Sequence, residues 1–256
     1  MPAPSRCSRQ GGGVVGEIIA RNLGSLPVLV LEGEAVVDAK QNRTVVASVL
    51  VGPGQTVSVA VGCVQQGRWS PSWGRFEAAP AHVEPTLRKG TVKEAVTIGR
   101  VDQARLWKDV ALSLDACHIN SKSQDYYEGA ASRLGAAAER ARAFESLPGQ
   151  VGVIALVNDG LLGLEIIGHP DSWAALGGRL MPSYLMAAEL AARDPRRPAA
   201  GPRHGAREWL AEVSGARVTS RPSRGLGEQL AIEGPGFAGA GLGHEERPAH
   251  LVVVAD

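Results

Sequence analysis

At 256 residues the chain can bury a substantial apolar core, as one large domain or two small ones. Its 44% apolar and 21% charged content is ordinary for a soluble globular protein, and no run approaches the roughly 18 apolar residues a membrane helix needs. A net charge of +1 supplies no global field toward nucleic acid or a membrane surface, so neither is expected as a partner. Three cysteines, Cys7, Cys63 and Cys117, are an odd number without metal-like spacing, which argues against a disulfide framework and for a reducing cytoplasm. The histidines at 82, 118, 169, 204, 244 and 250 are scattered with no zinc-type spacing, so no metal and no cofactor is assigned.

In chain order, "MPAPSRCSRQGGG" has no apolar stretch immediately behind its arginines, and residues 1–20 read as a disordered lead-in to one domain over 21–256. "LPVLVLEGEAVV" (26–37) holds two apolar runs around Gly33. "TVVASVLV" (44–51), "GPG" (52–54) and "QTVSVAVGCV" (55–64) read as one long hairpin, since glycine supplies positive φ and proline fixes its own. "EAVTI" (94–98) reads as a further short strand. "DQARLWKDVALSL" (102–114) is helical, with Leu106, Val110 and Leu114 on a period-four stripe. A long helix is expected over 121–147 with Tyr127, Ala131, Leu134, Ala138, Ala141 and Phe144 inward, closed by the Pro-Gly at 148–149. "VGVIALV", "NDG" and "LLGLEII" (151–167) form a second hairpin, and 170–193 a helix starting at Pro170 and kinked near Gly177 and Pro182. A basic Pro-rich connection (194–205), a short helix near 206–213 and Gly-rich strands ending in "HLVVVAD" complete the chain. The fold class expected is α+β: long antiparallel hairpins forming a sheet, three to four helices packed against it, in a single domain.

Centring the first hairpin on Pro53 pairs residues whose numbers sum to about 106, placing Arg43 opposite Cys63 and Gln41 opposite Gln65. Two polar knots, Gln41-Asn42-Arg43 and Gln65-Gln66-Gly67-Arg68-Trp69, therefore meet at the hairpin's open end. Arginine and amide donors with an indole stacking face suit a nucleotide better than an apolar ligand. Gln41, Asn42, Arg43, Gln65, Arg68 and Trp69 are the candidate ligand residues. The other reading is a hydrogen-bond network that closes the sheet end. Cys63 lies on the valine face of its strand, where cysteine is usually a small buried hydrophobe, although Arg43 opposite would favour a thiolate. Ser121 is either a helix cap with Gln124 or part of an anion site. Glu165 interrupts "LLGLEII" and either faces solvent or is held deliberately. "GPGFAGAGLGHEE" (234–246) fits no phosphate loop.

"AKQNR" (39–43) with "CVQQGRW" (63–69), Gln103 with Trp107, the 152–188 block including Ser183-Tyr184, and "AHLVVV" together resemble a known family over about residues 20–256. It is the ADP-ribosylglycohydrolase- and rhodanese-phosphatase-superfamily-associated protein domain family, first type. Gln65 stands where that family tends to have an acid, and Val46 where an asparagine is common. If the acid is a catalytic base, this chain has lost it. The resemblance implies a context of ADP-ribose, NAD or nucleotide metabolism, with an ADP-ribose-like ligand or a protein partner from that metabolism. It implies no particular reaction. A cytoplasmic protein recognising or processing such a nucleotide is the leading expectation. The alternative is a non-catalytic scaffold whose polar cluster is structural.

Overall fold

The Gly52-Pro53-Gly54 turn forms as expected, with Gly54 at φ 71 and the Gln55 amide donating to the Gly52 carbonyl at 3.0 Å. The strands it joins do not make one continuous hairpin. In the computed structural model, which describes residues 7–10, 16–37, 41–66, 77–98, 101–119, 121, 124–193 and 205–255, β5 (Arg43–Val45) pairs with β7 (Thr56–Cys63) in the register Arg43↔Cys63, Thr44↔Gly62, Val45↔Val61. Beyond Val46 the chain leaves β7, and β6 (Val49–Val51) pairs instead with β3 (Val28–Val30). Ser48 marks the departure: its hydroxyl accepts from the Glu32 amide at 2.8 Å and bonds His250, which draws the strand away.

Sheet one runs β1 (Cys7–Gln10), β2 (Glu17–Asn22), β7, β5, β4 (Glu34–Val37), β8 (Glu77–His82), and every pairing is antiparallel. Two of its strands lie partly or wholly within the segment expected as a lead-in. β2 belongs there because Ile18 and Ala20 alternate inward onto the valine core of β7. Sheet two runs β11 (Arg217–Pro222), β12 (Glu228–Gly234), β13 (Phe237–His244), β14 (Arg247–Ala255), β10 (Gly160–Ile167), β9 (Gly152–Val157). The β9–β10 hairpin turns at Asn158-Asp159, with φ of 51 and 62, the left-handed pair that a tight hairpin turn demands.

Five helices lie among the described residues: α1 (Pro85–Ile98), α2 (Gln103–Ala116), α3 (Tyr126–Ala141), α4 (Pro170–Arg193) and α5 (Ala206–Ser214). Residues 94–98, expected as a strand, are the last turns of α1. Pro85 opens that helix, Leu87, Arg88, Thr91 and Val92 bury along it, and propagation overrides the β preference of the Val-Thr-Ile ending. The α2 stripe of Leu106, Val110 and Leu114 is buried as expected. In α3 the buried set is Tyr126, Tyr127, Ala130, Leu134 and Ala137, while Phe144 lies beyond the helix and is 58% exposed. The stripe shifted because Asp125, rather than Ser121, caps the helix. α4 is assigned as one helix through Pro182.

The fold is therefore a single α+β domain with two six-stranded antiparallel sheets where one was expected. Helix α1 packs on sheet two, chiefly β13 and β14, while α4 joins β8 of sheet one to β9 of sheet two. No helix of the described residues is long and apolar enough to cross a membrane.

β9 approaches β10 so closely at Gly152 that a Cβ there would lie 2.1 Å from the Glu165 carbonyl oxygen. Gly152→Ala is expected to destabilise the protein by about 1–3 kcal/mol, read by urea unfolding.

Candidate functional site

The polar knots meet where the register places them. Gln41 Nε2 donates to the Gln65 carbonyl at 3.1 Å, and the Asn42 amide donates to Gln65 Oε1 at 3.1 Å. Asn42 Nδ2 reaches Asp125 Oδ2 at 2.6 Å, and Asp125 Oδ1 accepts from the Tyr127 and Glu128 amides that open α3. The Tyr126 amide closes on the Val64 carbonyl at 3.0 Å. Gln103, at the start of α2, pairs through both ends of its amide with the Cys63 backbone, at 2.9 and 2.7 Å. These side chains latch the N-termini of α2 and α3 onto the open end of sheet one.

Arg43 is buried, with Nη1 3.4 Å from the Glu17 carbonyl. Burial pushes the Cys63 thiol above its ordinary range despite Arg43 beside it, so Cys63 is a protonated core residue at neutral pH. Ser121 Oγ accepts from the Asp125 amide at 3.3 Å and supports the cap from outside. Arg68 and Trp69 lie outside the described residues.

Glu165 is held deliberately. It sits on β10, fully buried, at the centre of a network drawn from sheet two, helices α1 and α4 and the turn between β3 and β4. Arg88 of α1 donates to it twice, Nη1 to Oε2 at 2.7 Å and Nη2 to Oε1 at 3.0 Å, and donates from Nε to Glu32 Oε2 at 2.6 Å. Tyr184 of α4 donates to Glu165 Oε2 at 2.9 Å, and His250 Nε2 of β14 lies 2.8 Å from Oε1. His250 Nδ1 lies 2.8 Å from Ser48 Oγ.

The two carboxylates on Arg88 are driven apart. Burial opposes ionisation of Glu165, but the Arg88 charge and the bonds from His250 and Arg88 prevail and hold it far below the usual carboxylate range. At Glu32 burial prevails over Arg88, and its pKa rises. His82, packed against Gly33 where a Cβ would meet its ring at 2.4 Å, is pushed down to about 3 by burial and then by the Arg88 charge. It is a neutral core imidazole.

Sequence reasoning flagged Glu165 but missed Arg88, which stands beside Lys89, and Glu32, Ser48 and His250, each a polar residue within or beside an apolar run. It also missed a groove of about 810 Å³ walled by α1, α2, α3 and α4. Arg105, Asp109, Leu112, Ser113 and Ala116 line it along α2, a span of about 16 Å at the helical rise, with His118 just past the helix end. Lys89, Arg133 and Arg193 add cations, Glu84 and Asp115 add acids, and Leu87 and Leu190 add apolar wall. Glu84 is buried, and Ser113 Oγ donates to its Oε1. Arg133 holds the Cys117 carbonyl through Nε and Nη2, at 3.1 and 2.7 Å. Among the described residues no group of histidine, cysteine and acid side chains could hold a metal ion.

A latched sheet end, a buried ionic junction and a mixed-charge groove are the polar features of this α+β protein. The chain belongs to the ARG and Rhodanese-Phosphatase-superfamily-associated Protein domain family, whose profile matches residues 8–254. Comparison with curated proteins and with solved structures finds no match. The motif residues of the resemblance now have places: Gln41, Asn42 and Gln103 in the latch, and Tyr184 on Glu165.

Two outcomes test these assignments. Glu165→Gln breaks a buried charge pair and is expected to cost about 3–5 kcal/mol at pH 7. Because the folded pKa lies below the ordinary 4.5, that stability is present above 4.5 and is lost as pH falls through the depressed value. The gap between wild type and variant in thermal melts should therefore narrow progressively below about pH 4. Asp125→Ala removes the α3 cap and is expected to cost about 1 kcal/mol, with faster amide exchange confined to the first turn of α3 and residues 64–66.

Proposed function

We propose that the protein recognises an ADP-ribose-related nucleotide, bound in the groove along α2. The observation that carries this reading is the groove's composition. Lys89, Arg105, Arg133 and Arg193 suit a diphosphate, Glu84, Asp109 and Asp115 suit ribose hydroxyls, and Leu87, Leu112 and Leu190 suit a base. A site for bare phosphate would not carry three acids, and a site for an apolar ligand would not carry four cations. The family's association with ARG and rhodanese-phosphatase proteins supports the same ligand class. Buried free thiols at Cys63 and Cys117 accord with a reducing cytoplasm as its setting.

The ligand role proposed for Arg68 and Trp69 makes the sheet end a competing location for the same nucleotide. A scaffold reading has its own support: the Gln41, Asn42 and Gln65 amides all serve internal bonds. A partner protein from ADP-ribose metabolism would then be what this domain binds.

Thermal shift with ADP-ribose and with NAD separates the three. Wild type should rise by several degrees at saturating nucleotide, and Lys89→Ala/Arg193→Ala should lose most of that rise while keeping its unliganded melting temperature. Loss of the rise in Arg68→Ala or Trp69→Ala, with the Lys89/Arg193 variant unaffected, moves the ligand to the sheet end. No rise with either nucleotide leaves the scaffold.

A further inference from the structure

The nucleotide reading uses neither Ser48 nor the buried network, and these form an ordered series of their own. Ser48 Oγ lies 2.8 Å from His250 Nδ1, and His250 Nε2 lies 2.8 Å from Glu165 Oε1. Arg88 and Tyr184 keep that carboxyl oriented, and Arg88 also joins it to Glu32. In the tautomer with its hydrogen on Nε2, His250 donates to Glu165 and turns the Nδ1 lone pair to the serine hydroxyl. That is the arrangement of a nucleophile, a general base and an orienting acid.

All three side chains are at most 3% exposed. The strap between β11 and β12, residues 223–227, lies on β6, which begins one residue after Ser48. The Leu226 amide donates to the Leu50 carbonyl at 2.8 Å, and Gly225 lies so near that a Cβ would sit 2.2 Å from that same oxygen. Gln229 Nε2 reaches the Ser48 carbonyl at 2.6 Å. The strap's one ionic tie to sheet one among the described residues is Arg224 to Glu17, 2.6 Å long, with the side chains 42% and 35% exposed. Such a tie is weak and screened by salt, and it adds to the backbone bond and close Gly225 packing that hold the strap on Leu50.

We propose that Ser48, His250 and Glu165 form an acyl-transfer centre for carboxylic esters, reached when the 223–227 strap lifts from β6, a movement that the Arg224–Glu17 tie opposes. With the strap lifted, Ser48 Oγ bonds to the ester carbonyl carbon and its proton passes to His250 Nδ1. The carbon–oxygen bond to the alcohol breaks, and the alcohol departs with that proton. Water then attacks the acyl-serine, giving its proton to His250, and the carboxylic acid leaves as Ser48 recovers its hydrogen. The Glu32 amide, now 2.8 Å from Ser48 Oγ, is the backbone donor nearest the oxyanion. Buried Leu31 and Val49 beside Glu32 and Ser48 favour an apolar acyl group over a charged one. Glu165 acts through His250 and is a positioning residue.

The test uses the full chain and a fluorophosphonate probe, which a competent serine displaces fluoride from, with the adduct mapped by peptide mass. The expected result is an adduct at Ser48 that forms about two- to fivefold faster in Arg224→Gln and in Glu17→Gln than in wild type. Raised salt should accelerate the wild-type reaction, and His250→Asn in the Arg224→Gln background should suppress it. Turnover of p-nitrophenyl butyrate should follow the same order and vanish in Arg224→Gln/Ser48→Ala. No adduct at Ser48 in Arg224→Gln and Glu17→Gln proteins that melt like wild type, or adducts only at other serines, overturns the proposal and makes the network purely structural. Turnover undiminished by Ser48→Ala overturns it as well.

Discussion

The junction of Arg88 with Glu165 is the constraint on which the architecture turns. A guanidinium on α1, 1% exposed, meets a carboxylate on β10 that has no exposure, and Glu32, Tyr184 and His250 complete both. Removing two charges from water costs several kcal/mol for each, and only dense hydrogen bonding offsets that. Here the bidentate geometry does so for Glu165, while Glu32, with one oxygen on Arg88, is left closer to protonation. The pair therefore adds little net stability over an apolar core. It specifies geometry: sheet two, α1, α4 and the turn between β3 and β4 must all arrive for both charges to be satisfied.

The same junction explains why the first hairpin divides. Valine alternation and Gly-Pro-Gly chemistry favour ten continuous pairs, yet pairing stops after Val46 because Ser48 is needed by Glu32 and His250. The lower half keeps its register, and the latch is built on it. The upper half turns to β3 and becomes the strand beneath the 223–227 strap.

Local patterning carried much of the fold to the reader of the sequence. The Arg43↔Cys63 register, the Asn158-Asp159 hairpin and the α2 stripe all follow from turn chemistry and periodicity over a few residues. What failed was local too: Val96-Thr97-Ile98 favours strand by propensity but continues the helix begun at Pro85, and Ser121 mimics a cap that Asp125 supplies. The site was legible where polar residues cluster, as at Gln41-Asn42-Arg43, though clustering did not reveal that the amides would bind backbone. It was illegible where one polar residue per element converges from afar. Arg88, Glu165 and His250 carry no spacing signal because their spacing exists only in three dimensions. The groove stayed hidden for the same reason, since its charges lie on four helices.

Ser48 and His250 are 202 positions apart, and the imidazole comes from the last strand of sheet two. During synthesis the first sheet and α1 emerge long before their counter-partner does. Until β14 leaves the ribosome, Glu165 lacks one of its donors and Ser48 its imidazole, so the interior remains electrostatically incomplete. β14 thus acts as a keystone, since its His250 is the piece that joins Ser48 to Glu165.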